Sequence, residues 1–119
     1  VVWDDFFAFG GVFNMPMTCT AENRNLTVRI SGEIDHHAAR TFMLELDREI
    51  ESRFPKTLVL DFAQVTFMDS SGIAVLLRTY RRMQEVGGSM KVTNVPPQPE
   101  KVLRAANLHR IVSISWQRG

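Results

Sequence analysis

The chain of 119 residues carries 14 basic and 13 acidic side chains, a formal charge of +1, and 45% apolar residues. That is enough for one domain around one modest core, too apolar for a disordered chain, and too evenly charged to draw nucleic acid or an anionic membrane by its overall field. Cys19 is the single cysteine, which excludes an internal disulfide and a thiolate metal cluster and fits a reducing, cytoplasmic setting.

Val1 to Phe13 is rich in phenylalanine and glycine, and it carries Asp4 and Asp5 where a secretory signal carries lysine or arginine. It is far short of the roughly 20 apolar residues that cross a bilayer. The run reads as neither helix nor strand. Residues 1–14 are expected to form an extension ahead of a natural start at Met15 or Met17, with residues 15–119 as the domain. The rival reading is a segment that packs on the domain or on a partner.

From Met17 onward, short apolar strands alternate with longer helical patterns. Thr18 to Glu22 is weakly strand-like, and Asn23-Arg24-Asn25 is a turn signal. Leu26, Val28 and Ile30 alternate with Thr27 and Arg29, the period of a half-buried strand, so the chain opens on an antiparallel hairpin. Ser31 to Asp35 is expected to break that strand and lead into a helix over 36–53. Asp35 is its cap, because a short carboxylate accepts hydrogen bonds from orphan backbone N–H groups. Ala39, Phe42, Met43, Leu46 and Ile50 form the core face of this helix, and Pro55 follows its end.

Thr57 to Asp61 has the length and apolarity of a buried central strand. After a connection over 62–68, a second helix is predicted over 70–86, with Ile73, Leu76, Leu77, Tyr80 and Met83 as its apolar stripe. Gly87-Gly88 stops it through the left-handed conformations that glycine tolerates. Met90 to Thr93 is a short strand, Pro96-Pro97 introduces a third helix over 98–106, and Ile111, Val112 and Ile114 supply a last strand. The order is β-β-α-β-α-β-α-β, an α/β domain with a mixed β-sheet and helices packed against it.

The segment that carries the chemistry is Phe67-Met68-Asp69-Ser70-Ser71-Gly72-Ile73-Ala74. It places a carboxylate and two hydroxyls where a loop becomes a helix. Asp-Ser-Ser is also an ordinary helix-start composition, so capping alone accounts for its local pattern. A helix N-terminus presents unpaired N–H donors and about half a positive charge, and therefore tolerates an added phosphate. Gly72 is expected to leave room for another backbone or an enzyme cleft to come close. A catalytic serine is the sharper enzyme reading. A nucleophile elbow requires Gly-x-Ser-x-Gly, however, and Met68 stands where its first glycine belongs; nothing singles out His36, His37 or His109 as a base.

Gly32-Glu33-Ile34-Asp35-His36-His37, then Phe67-Met68-Asp69-Ser70-Ser71-Gly72, then Gly87-Gly88 before a strand, together resemble the anti-sigma factor antagonist family of the STAS superfamily. The similarity runs over 18–115 with every element in order. It implies a single STAS-type domain that is not an enzyme. The resemblance further implies phosphorylation at Ser70, with Asp69, Ser71 and Gly72 shaping the phosphorylation loop. The kinase would itself be the anti-sigma factor, bound by the unphosphorylated antagonist so that the sigma factor is freed; a metal-dependent serine phosphatase would reset the cycle. The docking surface is expected to include Asp35, His36 and His37, together with Ile73, Arg78 and Arg81 on the second helix. Many members continue into a final helix, whereas this chain stops at Trp116-Gln117-Arg118-Gly119, so contacts through such a helix are not carried over.

Smaller signals are weighed beside this. Adjacent His36 and His37 point about 100° apart on a helix and do not readily chelate one metal, so no metal or other cofactor is expected. Arg78, Arg81 and Arg82 lie on one side of the second helix, read first as a solvated face paired with Glu85 and, more sharply, as a contact for an acidic partner. Asn25-Leu26-Thr27 matches a glycosylation sequon that has no meaning without secretion, and no P-loop is present. Two competing functions stand beside the leading one: a STAS scaffold or sensor module in a larger signalling assembly, and a small serine hydrolase.

Overall fold

The structure is a computed structural model and describes residues 2–3 and 17–118. Its elements are β1 (Val2–Trp3), β2 (Met17–Glu22), β3 (Asn25–Ile34), α1 (His36–Arg53), β4 (Thr57–Met68), α2 (Ser70–Glu85), β5 (Ser89–Val95), α3 (Pro97–Ala105), a 3-10 turn (Leu108–Arg110) and β6 (Ser113–Trp116). The strands form one mixed sheet in the order β1-β2-β3-β4-β5-β6. The first two pairings are antiparallel and the last three parallel.

Asn23 and Arg24 both adopt positive φ, 52° and 66°, and close the β2–β3 hairpin on the pair Glu22↔Asn25. Two left-handed residues match the right-handed twist of the strands they join. Each later crossover carries one helix to the next strand in line. Right-handed crossovers taken in one direction leave their helices on one face of the sheet. Burial follows that rule: Leu58, Leu60 and Phe62 of β4 and Met90, Val92 and Val95 of β5 are buried beneath the helices, while Lys91 on the other face is exposed. Phe42, Leu46 and Ile50 of α1 and Leu76 and Met83 of α2 complete this core.

Four expectations are corrected. Ser31 to Ile34 does not end the second hairpin strand; β3 runs on to Ile34 through register shifts at Arg29/Ser31 and Gly32/Glu33, with Gly32 at φ 94°. The segment 62–68 is likewise strand and not connection, since β4 continues to Met68 against β3. The buried face of α2 is Gly72, Val75, Leu76, Thr79 and Met83, so Ile73, Leu77 and Tyr80 lie half-buried on its flank. Thr79 is admitted to the core because its hydroxyl donates to the Val75 carbonyl at 2.8 Å. Val2–Trp3, read as neither helix nor strand, pairs along the outer edge of β2 (Val2↔Thr20, Trp3↔Cys19) and so satisfies backbone groups that an edge leaves open. The rest of the expected extension, Val1 and residues 4–14, lies outside the described residues.

The two glycines after α2 do different work. Gly87 takes the left-handed turn, at φ 77°. At Gly88 a Cβ would come within 2.8 Å of the Lys56 carbonyl oxygen and 2.9 Å of that of Pro55. Gly88 is therefore a close-approach residue, and its N–H closes the helix on Met83 O at 2.8 Å.

Candidate functional site

The site lies where β3 and β4 end together. Ile34 pairs with Met68 in parallel register, and each strand then passes through one aspartate into a helix. Asp35 precedes α1 and Asp69 precedes α2, so two helix N-termini emerge side by side at the C-terminal end of these two central strands. The positive ends of both helix dipoles face the same solvent.

Asp35 accepts from the N–H groups of His37 at 3.0 Å and Ala38 at 2.9 Å. The Ala38 N–H above all holds its carboxyl below the usual aspartate range, because these bonds are stronger to the charged carboxylate than to the neutral acid. His36 and His37 occupy the first two helical positions, both exposed, their rings edge to face at 5.6 Å. Asp69 repeats the pattern. Its carboxylate accepts from Ser71 N–H at 2.8 Å, its own carbonyl accepts from Gly72 N–H at 3.0 Å, and its N–H donates to Ile34 O at 3.3 Å. The last bond ties the two caps together.

Ser70 is the first residue of α2 and is exposed. Among the described residues, nothing hydrogen-bonds its hydroxyl. Ser71 is half-buried with its N–H engaged by the cap. Gly72 departs from expectation. It is buried, and a Cβ there would lie 2.5 Å from Met68 Cγ and 2.6 Å from Met68 Sδ. Its small size serves internal packing of the helix start on the strand end, not access for another molecule.

The remaining expected docking residues separate. Ile73 is half-buried against the core. Arg78 reaches across to Asp47 of α1 at 2.9 Å, and Arg82 to Glu51 at 3.1 Å as well as to Glu85 at 3.4 Å. The expected pairing with Glu85 thus holds for Arg82, while most of the arginine charge is answered by α1. Arg81 is exposed and has no ion-pair partner among the described residues. Two contributors carry no signal of their own in the sequence. Phe67 is 39% exposed next to the loop, an apolar ring where solvent would favour a polar one. Gln98 of α3 bonds both backbone groups of Met68, a contact 30 residues distant in sequence. No cluster of three or more potential metal ligands occurs among the described residues, and none of their helices is long and apolar enough to cross a membrane.

Comparison with known proteins follows this geometry. The STAS domain family profile matches residues 17–117. An anti-sigma F factor antagonist from Paenibacillus polymyxa is 37% identical over 89 residues, covering 75% of this chain and 76% of that protein. The anti-sigma factor antagonist SpoIIAA, solved in its unphosphorylated form, superposes with a TM-score of 0.72 at 26% identity over 82% of this chain and 86% of its own. The phosphorylated form of the Bacillus cell fate determinant SpoIIAA gives 0.64 at 26% identity, over 82% of this chain and 89% of its own. The family profile spans most of the chain and the Paenibacillus polymyxa relative matches it over three quarters of its length, so the chain belongs to the STAS domain family, among the anti-sigma factor antagonists.

Proposed function

We propose that the protein is a phosphorylation-controlled interaction module of the cytoplasm. In its unphosphorylated form it binds an anti-sigma factor that is also a serine kinase, and so releases a sigma factor. Phosphorylation at Ser70 ends that binding, and a metal-dependent serine phosphatase restores it. The observation that carries the reading is the convergence of two capped helix starts at one end of the sheet, with Ser70 exposed at the start of one and Asp35, His36 and His37 at the start of the other. The existence of the similar SpoIIAA in unphosphorylated and phosphorylated forms supports it.

Charge supplies the mechanism. A phosphoserine adds about 1.5 to 2 negative charges and three acceptor oxygens. On its own helix terminus that charge is accommodated by the dipole. Inside an interface it meets the carboxylates and nucleotide phosphates of a kinase and must be desolvated there, which lowers affinity by one to three decades at about 1.4 kcal/mol per decade. Arg81, exposed and without an ion-pair partner among the described residues, is available to an acidic group of the partner. Incubation with ATP and the host's anti-sigma kinase, followed by phosphopeptide mapping, tests the assignment. A single modified peptide bearing phosphate on Ser70 is expected; modification only elsewhere contradicts it.

A further inference from the structure

β4 loses its second neighbour before it reaches the site. Its pairing with β5 ends at Asp61↔Thr93, and the stretch onward to Met68 is paired with β3 alone. At Met68 a side chain stands in for the missing strand. The Gln98 carboxamide oxygen accepts from Met68 N–H at 2.8 Å, and its NH2 donates to Met68 O at 3.0 Å. One planar amide thus satisfies both backbone groups of one residue, as an opposed residue does in a sheet ladder. Met68 is fully buried, so water cannot readily replace those bonds.

Gln98 is itself held firmly. It sits in the first turn of α3, next to buried Pro99. That helix is tied down by Arg104, which lies 4.3 Å over the Trp116 ring and 2.6 Å from Glu100. Beyond Met68 the chain has only Asp69 before Ser70, and the Asp69 N–H is fixed to Ile34 on the β3 side. The strand end is therefore held from both sides, by β3 and by Gln98.

We infer that Gln98 is the positioning residue of the switch: by fixing Met68 it sets the Asp69 cap and the outward presentation of Ser70 to the kinase. This rests on the reading of Ser70 as the residue that is modified and docked. Gln98 makes no contact with the modified hydroxyl and acts through Met68 alone.

The test compares Gln98→Ala and Gln98→Glu with the wild type. A protonated glutamic acid keeps one acceptor and one donor in the same places; the carboxylate loses the donor and sets a charge against the Met68 carbonyl. Amide exchange of residues 68–71 is expected to accelerate in Gln98→Ala while exchange in the middle of β4 and β5 stays at the wild-type rate. In Gln98→Glu, exchange at 68–71 relative to wild type is expected to be slow in mild acid and fast at neutral pH. With the kinase, loss of the two bonds is expected to raise KM for Gln98→Ala about tenfold and to leave kcat within about twofold. Unchanged exchange at 68–71, or a wild-type KM in a variant whose loop exchange has risen, overturns the inference. A wild-type protein that the kinase neither binds nor modifies at Ser70 overturns the functional reading instead, and the exchange pattern still decides whether Gln98 holds the strand end.

Discussion

At the scale of the residue, the site is two aspartates that perform one task at equivalent places. Asp69→Ala is expected to lower stability by about 1 kcal/mol through loss of the cap, whereas Asp69→Asn retains most of it because the amide oxygen still accepts from Ser71 N–H. Thermal or urea unfolding of the two variants measures the difference. Asp35 adds a pH signature. Its carboxyl is held low in the folded chain by backbone N–H bonds, so its contribution is complete above the ordinary aspartate range and is lost as pH falls through the lowered value. Cys19 is the opposite case. Burial above all, and then the nearby charge of Glu49, push its thiol up to about 12, so almost no thiolate is present at neutral pH. Thiol-specific reagents at pH 8 are expected to label it slowly in the native protein and rapidly in denaturant. Rapid native labelling would contradict the burial of Cys19 on β2.

At the scale of the element, legibility depended on whether the pattern stayed in one period. The helix over 36–53 was readable to the residue because a capping aspartate, a run at helical spacing and a following proline all agree. The far halves of β3 and β4 were not readable. Register shifts around Gly32 interrupt the alternation of two that marks a strand, and a bulged strand then resembles a loop. The motif positions were visible and the family resemblance implied that they lie together; what the local pattern did not show is the parallel pair Ile34↔Met68 that brings them there. Gln98 was hidden for the same reason, a glutamine at a helix start with its partner in another strand. Helix α1 also buries two carboxylates that its apolar spacing does not announce, Glu45 and Glu49. Glu49 pairs with Arg53 at 3.1 Å, yet desolvation outweighs the pairing and its carboxyl is raised above the ordinary range. The folded state therefore binds the Glu49 proton more tightly than the unfolded one, and wild-type stability falls as pH rises from the ordinary glutamate range through the raised value. Compared by unfolding between pH 4 and 7, Glu49→Gln should gain on the wild type as pH increases; a difference that is flat or reversed would contradict this.

At the scale of the whole molecule, the parallel pair β3–β4 delivers two helix starts to one end of the mixed sheet and keeps the machinery that shapes them inside the fold. Gly72 is small because of Met68, and Arg78 and Arg82 are drawn toward α1. Among the described residues, those turned outward around these helix starts include the Ser70 hydroxyl, the two imidazoles of His36 and His37, the exposed Phe67 ring and, further along α2, the Arg81 guanidinium. On the reading proposed above, one added charge at Ser70 alters this surface without refolding the sheet behind it. The most direct measurement is the affinity of the anti-sigma kinase for the unphosphorylated chain, for Ser70→Ala, for Ser70→Asp and for chain fully phosphorylated at Ser70. The account predicts that Ser70→Ala binds as the unmodified chain does, that the phosphorylated chain binds one to three decades more weakly, and that Ser70→Asp is weakened in the same direction. Equal affinity of all four forms would contradict it.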